Sequence, residues 1–258
     1  MLDNFILILA TTFTTMTAGF IISRLINNTS VIDVFWGLGA GVVAVVFWSL
    51  FPTSLGHLIL LGLITLWSLR LALFLGITRT VKKKLDPRYT ALEEKWGKSP
   101  LKTLGHFYLQ ALLLAPIAAV ILPAFETNFI PVTSLQIAMA FCFILALIGQ
   151  WISDTQLYRF KQAGNDGVCN IGLWSISRHP NYFFETVMWA SLALFSIQLE
   201  NAVWAWISPV TIWIITRYMT GPYTERLSLK KRPKEYDAYQ HQVSFIIPWI
   251  DSKTPKQS

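Results

Sequence analysis

The chain has 258 residues, 53% hydrophobic and only 14% charged, with a mean hydropathy of +0.48. A soluble domain carries about a quarter charged residues, so a water-soluble fold is excluded and an integral membrane protein is expected. The net charge of +7 would suit nucleic acid, but the basic residues collect in the connections between apolar runs, so no nucleic-acid partner is expected.

Seven apolar runs reach the ~20 residues of a bilayer-crossing helix. They lie near 4–23, 31–51, 56–78, 105–125, 132–154, 182–199 and 201–219. The predicted fold class is all-α: a polytopic bundle of about seven transmembrane helices with cytoplasmic loops and tail, forming a single membrane domain over 1–258. The first run lacks a basic leader and a small-residue cleavage site, so it reads as an anchor rather than a signal peptide. The sixth and seventh runs meet at Glu200 and Asn201, which predicts a helical hairpin. Of the 21 Lys and Arg, 19 fall in the connections on one side of these runs, and Arg70 and Arg217 lie within runs. The positive-inside rule then puts the N-terminus outside and the C-terminus in the cytoplasm. The basic loop 79–104 contains LDPRYTALEEKWG, with a short helix predicted from Thr90 to Trp96. In the polar tail, Glu225–Lys231 and Lys234–Gln242 are predicted helices separated by Pro233, and FIIPWI at 245–250 either lies at the interface or folds back.

Polar side chains at membrane depth are costly, so clusters of them point to function. The densest is GLWSISRHPNYFFE, from Gly172 to Glu185, between two apolar runs. Pro180 suits the first turn of a helix, and a helix starting there puts Asn181 and Glu185 on one face. The basic pair Arg178 and His179 then sits at the N-terminal end, where backbone N–H groups also favour anions. Four ionisable groups in or at the edge of spans stand out: Asp33, Arg70, Asp154 and Glu185. Asp33 also suits a helix N-cap, Asp154 a cap at the cytoplasmic end of its helix and His179 a helix entrance. Arg70 is too far from water to snorkel easily and is expected to pair with a carboxylate. No nucleophile elbow, HExxH or glycine-rich phosphate loop occurs. Cys142 and Cys169 offer neither a disulfide framework nor metal-ligand spacing, so no metal is expected.

GLWSISRHPNY followed by Glu185, VIDVFWG at 31–37, DPRY at 86–89 and the tail with Glu225, Arg226, Tyr236, Tyr239 and IPWI resemble the DUF1295 family over roughly 30–250. That family is grouped with the steroid 5-alpha-reductase-like membrane proteins. The resemblance implies seven helices, a bacterial inner membrane and NADPH bound from the cytoplasmic side. Hydride would pass to a carbon–carbon double bond conjugated to a ketone in a lipophilic substrate. By position, Asn181 and Glu185 match residues near the nicotinamide, and Asp154 the aspartate on the adenine–ribose side. Arg178 with Arg159 or Lys161 would take the phosphates. His179, Tyr182, Glu225, Arg226 and Tyr236 would complete the cofactor site. A loose alignment places Asp33 near the glutamate, and Trp67 near the tyrosine, that polarise the ketone in steroid reductases. Indole cannot donate a phenolic proton, so substrate or polarising group must differ. Phe184 replaces a glycine common in the family and would crowd that face.

The first expectation is therefore an NAD(P)H-dependent reductase of a lipophilic enone, with Asp33, Trp67 and Glu185 catalytic. A membrane methyltransferase using S-adenosylmethionine is the second reading, disfavoured because DVFWG and DPRY lie outside the block those enzymes share. A non-enzymatic lipid-binding protein is the third, disfavoured because the polar groups gather on one side rather than at a midplane. Membrane lipids and a lipophilic small molecule are the expected partners; oligomeric state is not encoded in any motif.

Overall fold

The computed structural model describes residues 1–81, 87–97 and 99–249, and every regular element among them is helical. Lys82, Lys83, Lys84, Asp86, Lys98 and Ile250 of the expected motifs lie outside the described residues, as do the side chains of Arg79 and Arg88. The helices are α1 Leu2–Leu25, α2 Val31–Leu50, α3 Leu55–Leu75, α4 Pro87–Lys95, α5 Pro100–Ala118, α6 Leu122–Phe125, α7 Ser134–Gln162, α8 Pro180–Phe195, α9 Ile207–Ile214, α10 Gly221–Lys231 and α11 Pro233–Gln242. A π-helical turn, Gly76–Val81, extends α3, and a second one, Ile215–Thr220, joins α9 to α10.

Five helical stretches are long and apolar enough to cross a membrane: Leu2–Leu25, Val31–Leu50, Leu55–Thr78, Pro100–Phe125 and Ser134–Gln162. Such stretches make the chain an integral membrane protein. The expected count of seven full spans is not reached among the described residues. With 16 residues, α8 rises only about 24 Å at 1.5 Å per residue, short of the ~30 Å hydrocarbon layer. The run expected over 201–219 is divided into a 3₁₀ turn, Ala202–Trp206, then α9 and the π-helical turn. Turns over 196–201, with a left-handed Asn201 (φ 59°), interrupt the helix there and take residues out of both helices.

Two compact units emerge. The first contains Met1–Ala140 and Leu192–Ser208. In it α2 packs against α1, α3 and α5. Gly37 and Gly41, one helical turn apart, let α3 approach: a Cβ at Gly37 would lie 3.1 Å from the Ala72 backbone nitrogen, and one at Gly41 2.5 Å from Ser68 Oγ. The Ser68 hydroxyl fills that space, donating to Gly37 O (2.5 Å) and accepting from Gly41 N. Small residues that let backbones and hydroxyls meet are the usual glue between membrane helices, because lipid removes the hydrophobic drive to associate. The far end of α3 is fastened by a fully buried His57. Its Nδ1 accepts from Ser54 N (3.1 Å), which leaves Nε2–H to donate to Ala124 O (2.7 Å).

The second unit contains Phe141–Ser191 and Pro209–Ser258. Most of α7, the start of α8 and the polar tail belong to it. The predicted tail helices are present as α10 and α11, and Pro180 opens α8 as its spacing requires. The FIIPWI segment folds back: Phe245 and Ile246 are buried, and Ser244 O accepts from Arg178 N at 2.8 Å.

Candidate functional site

The 172–185 stretch is fixed from both sides within the second unit. Trp174 Nε1 donates to Ser153 O of α7 (2.9 Å), and the Tyr239 hydroxyl of α11 donates to Trp174 O (2.5 Å). Ser177 Oγ donates to Ile246 O (2.7 Å). At the centre lies Arg178, only 2% exposed. Its Nε donates to Glu225 Oε1 (2.6 Å), and its Nη1 to Gln240 O and Val243 O (2.8 and 2.7 Å). His179 Nε2 meets the same Glu225 oxygen at 3.2 Å, and Gln240 Nε2 donates to the other at 2.6 Å. The His179 ring stacks flat on Tyr182, centroids 4.9 Å apart. Arg178 is therefore a keystone between hinge and tail, and its donors face protein carbonyls and a carboxylate rather than open space.

Burial pushes the Glu225 carboxyl up, but hydrogen bonds and charge from His179 and Arg178 together hold it below the usual carboxylate value. Burial drives the His179 imidazole below its ordinary 6.5, against the Glu225 contact that would raise it. Tyr236 and Tyr239 are both pushed well above the ordinary phenol value, chiefly by burial, and stay neutral. Both depressed groups weaken the fold in acid. With folded pKa values below those of the unfolded chain, stability present above about pH 6.5 is lost as His179 must take a proton, and more is lost below about pH 4.5 at Glu225. The melting temperature is expected to be flat near pH 7.5 and to fall through pH 6 to 4, and His179→Gln should remove the upper part of that fall. A melting temperature that rises on acidification would contradict this.

Along α8, Asn181, Glu185 and Trp189 stand at four-residue intervals on one face. Across from them, Gln150 and Asp154 stand four apart on α7. The two rows pair in antiparallel order. Gln150 Nε2 donates to Glu185 Oε2, and Asn181 Nδ2 reaches Asp154 Oδ1 at 3.4 Å. Trp189 Nε1 donates to Glu185 Oε1 (2.7 Å), so both carboxylate oxygens are held. Asn181 Oδ1 is buried without a hydrogen-bond partner among the described residues. An orphaned acceptor in an otherwise satisfied polar ladder is suited to a ligand's N–H donor.

The crowding expected at Phe184 is relieved by a residue on α7. Its ring seats on Gly149, where an added Cβ would lie 2.5 Å from Cε1 and 2.6 Å from Cζ. Gly149→Ala is expected to cost about 1–3 kcal/mol by overpacking, read as a lower melting temperature in detergent. A second change, Phe184→Ala, should recover part of it; if Gly149→Ala melts like the parent, the two helices are not held at this distance.

In the first unit, Ser30 rather than Asp33 occupies the N-cap of α2. Asp33 instead accepts from the Tyr89 hydroxyl of α4 at 2.6 Å, joining the DVFWG and DPRY motifs. Thr29 Oγ1 donates to Glu93 Oε1 and ties the same two helices. Trp67 is buried, 6.3 Å edge-on from Trp36, and Arg70 lays its guanidinium over Phe74 at 5.4 Å. Every residue expected to hold cofactor belongs to the second unit, as does Glu185, whereas Asp33 and Trp67 belong to the first. Arg159, Lys161 and Arg226 are exposed, Arg159 at the polar end of a groove lined by Ile148, Trp151, Ile152, Thr155 and Gln156. Sequence reading missed Gln150, Trp189 and the role of Tyr89. The four-residue spacing of Gln150 and Asp154, matching that of Asn181 and Glu185, was the available signal for the first.

A family described as a protein of unknown function, DUF1295, matches residues 19–243. The chain belongs to the DUF1295 family. Within that match lie both polar constellations, the Asp33–Tyr89 pair and the α7–α8 ladder. No curated protein and no solved structure matches the chain.

Proposed function

We propose that this DUF1295 protein is a membrane-embedded, NAD(P)H-dependent reductase of a carbon–carbon double bond in a lipophilic, enone-type substrate. The observation that carries the reading is the α7–α8 ladder with its orphaned Asn181 Oδ1. A nicotinamide carboxamide would offer the N–H that this oxygen lacks, and its dihydropyridine ring would supply hydride. Asn181 then binds and orients, Asp154 holds the Asn181 amide, and Glu185 is kept in place by Gln150 and Trp189. Arg159 and Lys161 are exposed candidates for phosphate contacts, whereas Arg178 positions the hinge through Glu225.

Within the first unit, the Asp33–Tyr89 pair is the candidate for polarising a ketone oxygen. Hydride addition to an enone loads negative charge on the ketone oxygen, and a preorganised donor there lowers the barrier. The Tyr89 phenol, oriented by its hydrogen bond to Asp33, is the acidic group such a donor would be built on. The phenol missing at position 67 stands instead at Tyr89, donating to Asp33. The concentration of Lys and Arg in the 79–104 loop and the tail supports a cytoplasmic C-terminus.

Thermal unfolding of detergent-purified protein with NADPH, NADH or S-adenosylmethionine tests the cofactor. A ligand that binds only the folded state raises the melting temperature by mass action. A rise with NADPH or NADH that Asn181→Ala abolishes is expected. A rise with S-adenosylmethionine alone would replace this reading with a methyltransferase.

A further inference from the structure

We infer that Arg217 is an anion anchor that takes a phosphate group of a bound ligand. It lies in the π-helical turn Ile215–Thr220, ahead of the tail helix that carries Glu225. Its Nη1 is buried and has no hydrogen-bond partner among the described residues. What surrounds the guanidinium is aromatic: the Phe245 ring centroid is 4.7 Å from Cζ and that of Tyr218 is 5.6 Å. The same Phe245 ring meets Arg178 at 5.3 Å and the edge of His179 at 5.0 Å. The contrast between the two arginines is decisive. Arg178 is balanced by Glu225 and two backbone carbonyls, so its charge is spent. Arg217 has ring faces but no acceptor among the described residues. Arg217 is partly exposed, but its buried Nη1 without an acceptor is costly, and the rings beside the guanidinium leave its N–H edge for a ligand. That rigid fork matches the oxygens of a phosphate.

The Phe245 ring also places this cation beside the hinge, since it touches His179, two residues before Asn181 with its orphaned acceptor. The second unit therefore offers one unfilled donor and one unfilled acceptor around the same hinge. A ligand carrying both an amide N–H and a phosphate would use the two together. In that form the inference rests on the nicotinamide reading above, but the phosphate could equally be that of a membrane phospholipid.

The test uses the full chain in nanodiscs of phosphatidylcholine, alone or mixed with phosphatidylglycerol, with inorganic pyrophosphate or NADPH added. Pyrophosphate is expected to raise the melting temperature in phosphatidylcholine discs, and Arg217→Gln to weaken its apparent affinity about tenfold, as the loss of one charged contact would. If pyrophosphate is inert but phosphatidylglycerol stabilises the parent and not Arg217→Gln, the anchor stands and its phosphate is a lipid headgroup. Arg217→Lys, which keeps the charge and loses the fork, covers the case in which the glutamine variant does not fold; it should weaken pyrophosphate or phosphatidylglycerol severalfold at an unchanged ligand-free melting temperature. Variants that respond like the parent, or a parent that responds to neither phosphate source, would overturn the assignment. A response to pyrophosphate through Arg217 with none to NADPH or NADH would keep the anchor and sink the reductase.

Discussion

Glu225→Leu is expected to be the most destabilising single change in the second unit. It leaves the Arg178 guanidinium buried with no anion and removes the acceptor of His179 and Gln240. Breaking a buried ion pair by removing one partner costs about 3–5 kcal/mol, because the remaining charge stays desolvated. That is a large share of the roughly 5–15 kcal/mol by which a domain is stable. The hinge and the tail should separate, since Arg178 also carries the contacts to Gln240 O and Val243 O. The double change Arg178→Met with Glu225→Leu removes both charges and should melt well above Glu225→Leu alone. Detergent thermal unfolding of the three proteins decides it. A single variant that melts with the parent, or a double variant no better than the single, would show that the pair does not hold hinge to tail.

Tyr89→Phe is expected to lower enone turnover by about 10²–10⁴-fold, the usual worth of a positioned proton donor. The fold should barely respond, because one hydroxyl hydrogen bond contributes about 0.5–1.5 kcal/mol. Asp33→Asn should be similarly slow, since a carboxamide cannot relay a proton. Two residues acting as one unit give non-additive losses, so the double variant should be little worse than either alone. Absorbance decay of NADPH with an enone substrate measures this, and the loss should fall on kcat with KM nearly unchanged. Full kcat in Tyr89→Phe would remove the pair from the chemistry and leave it as a clasp between α2 and α4.

Chemical type and local periodicity were legible in the chain. A helix beginning at Pro180 follows from the fixed φ of proline, and the common face of Asn181 and Glu185 follows from 3.6 residues per turn. The tail helices broken at Pro233 were legible for the same reason. The full length of the sixth and seventh spans was not. Hydropathy counts apolar residues without knowing that Asn201 turns left-handed and that a 3₁₀ stretch follows it. Arg178 shows the limit most clearly. As a sequence letter beside His179 it reads as a phosphate ligand, because charge is visible and partners are not.

Residue order alone shows where polarity enters an apolar chain, since the cost of unsatisfied polar groups in hydrocarbon leaves few places for it. Packing in three dimensions chooses which of those groups satisfy one another. Glu225 comes to Arg178 from 47 residues away, and Tyr89 to Asp33 from 56. Such partners are chosen by packing, by Gly149 yielding to Phe184 and Gly37 to α3. Contacts at that separation depend on how whole helices seat, which no local pattern of residues encodes.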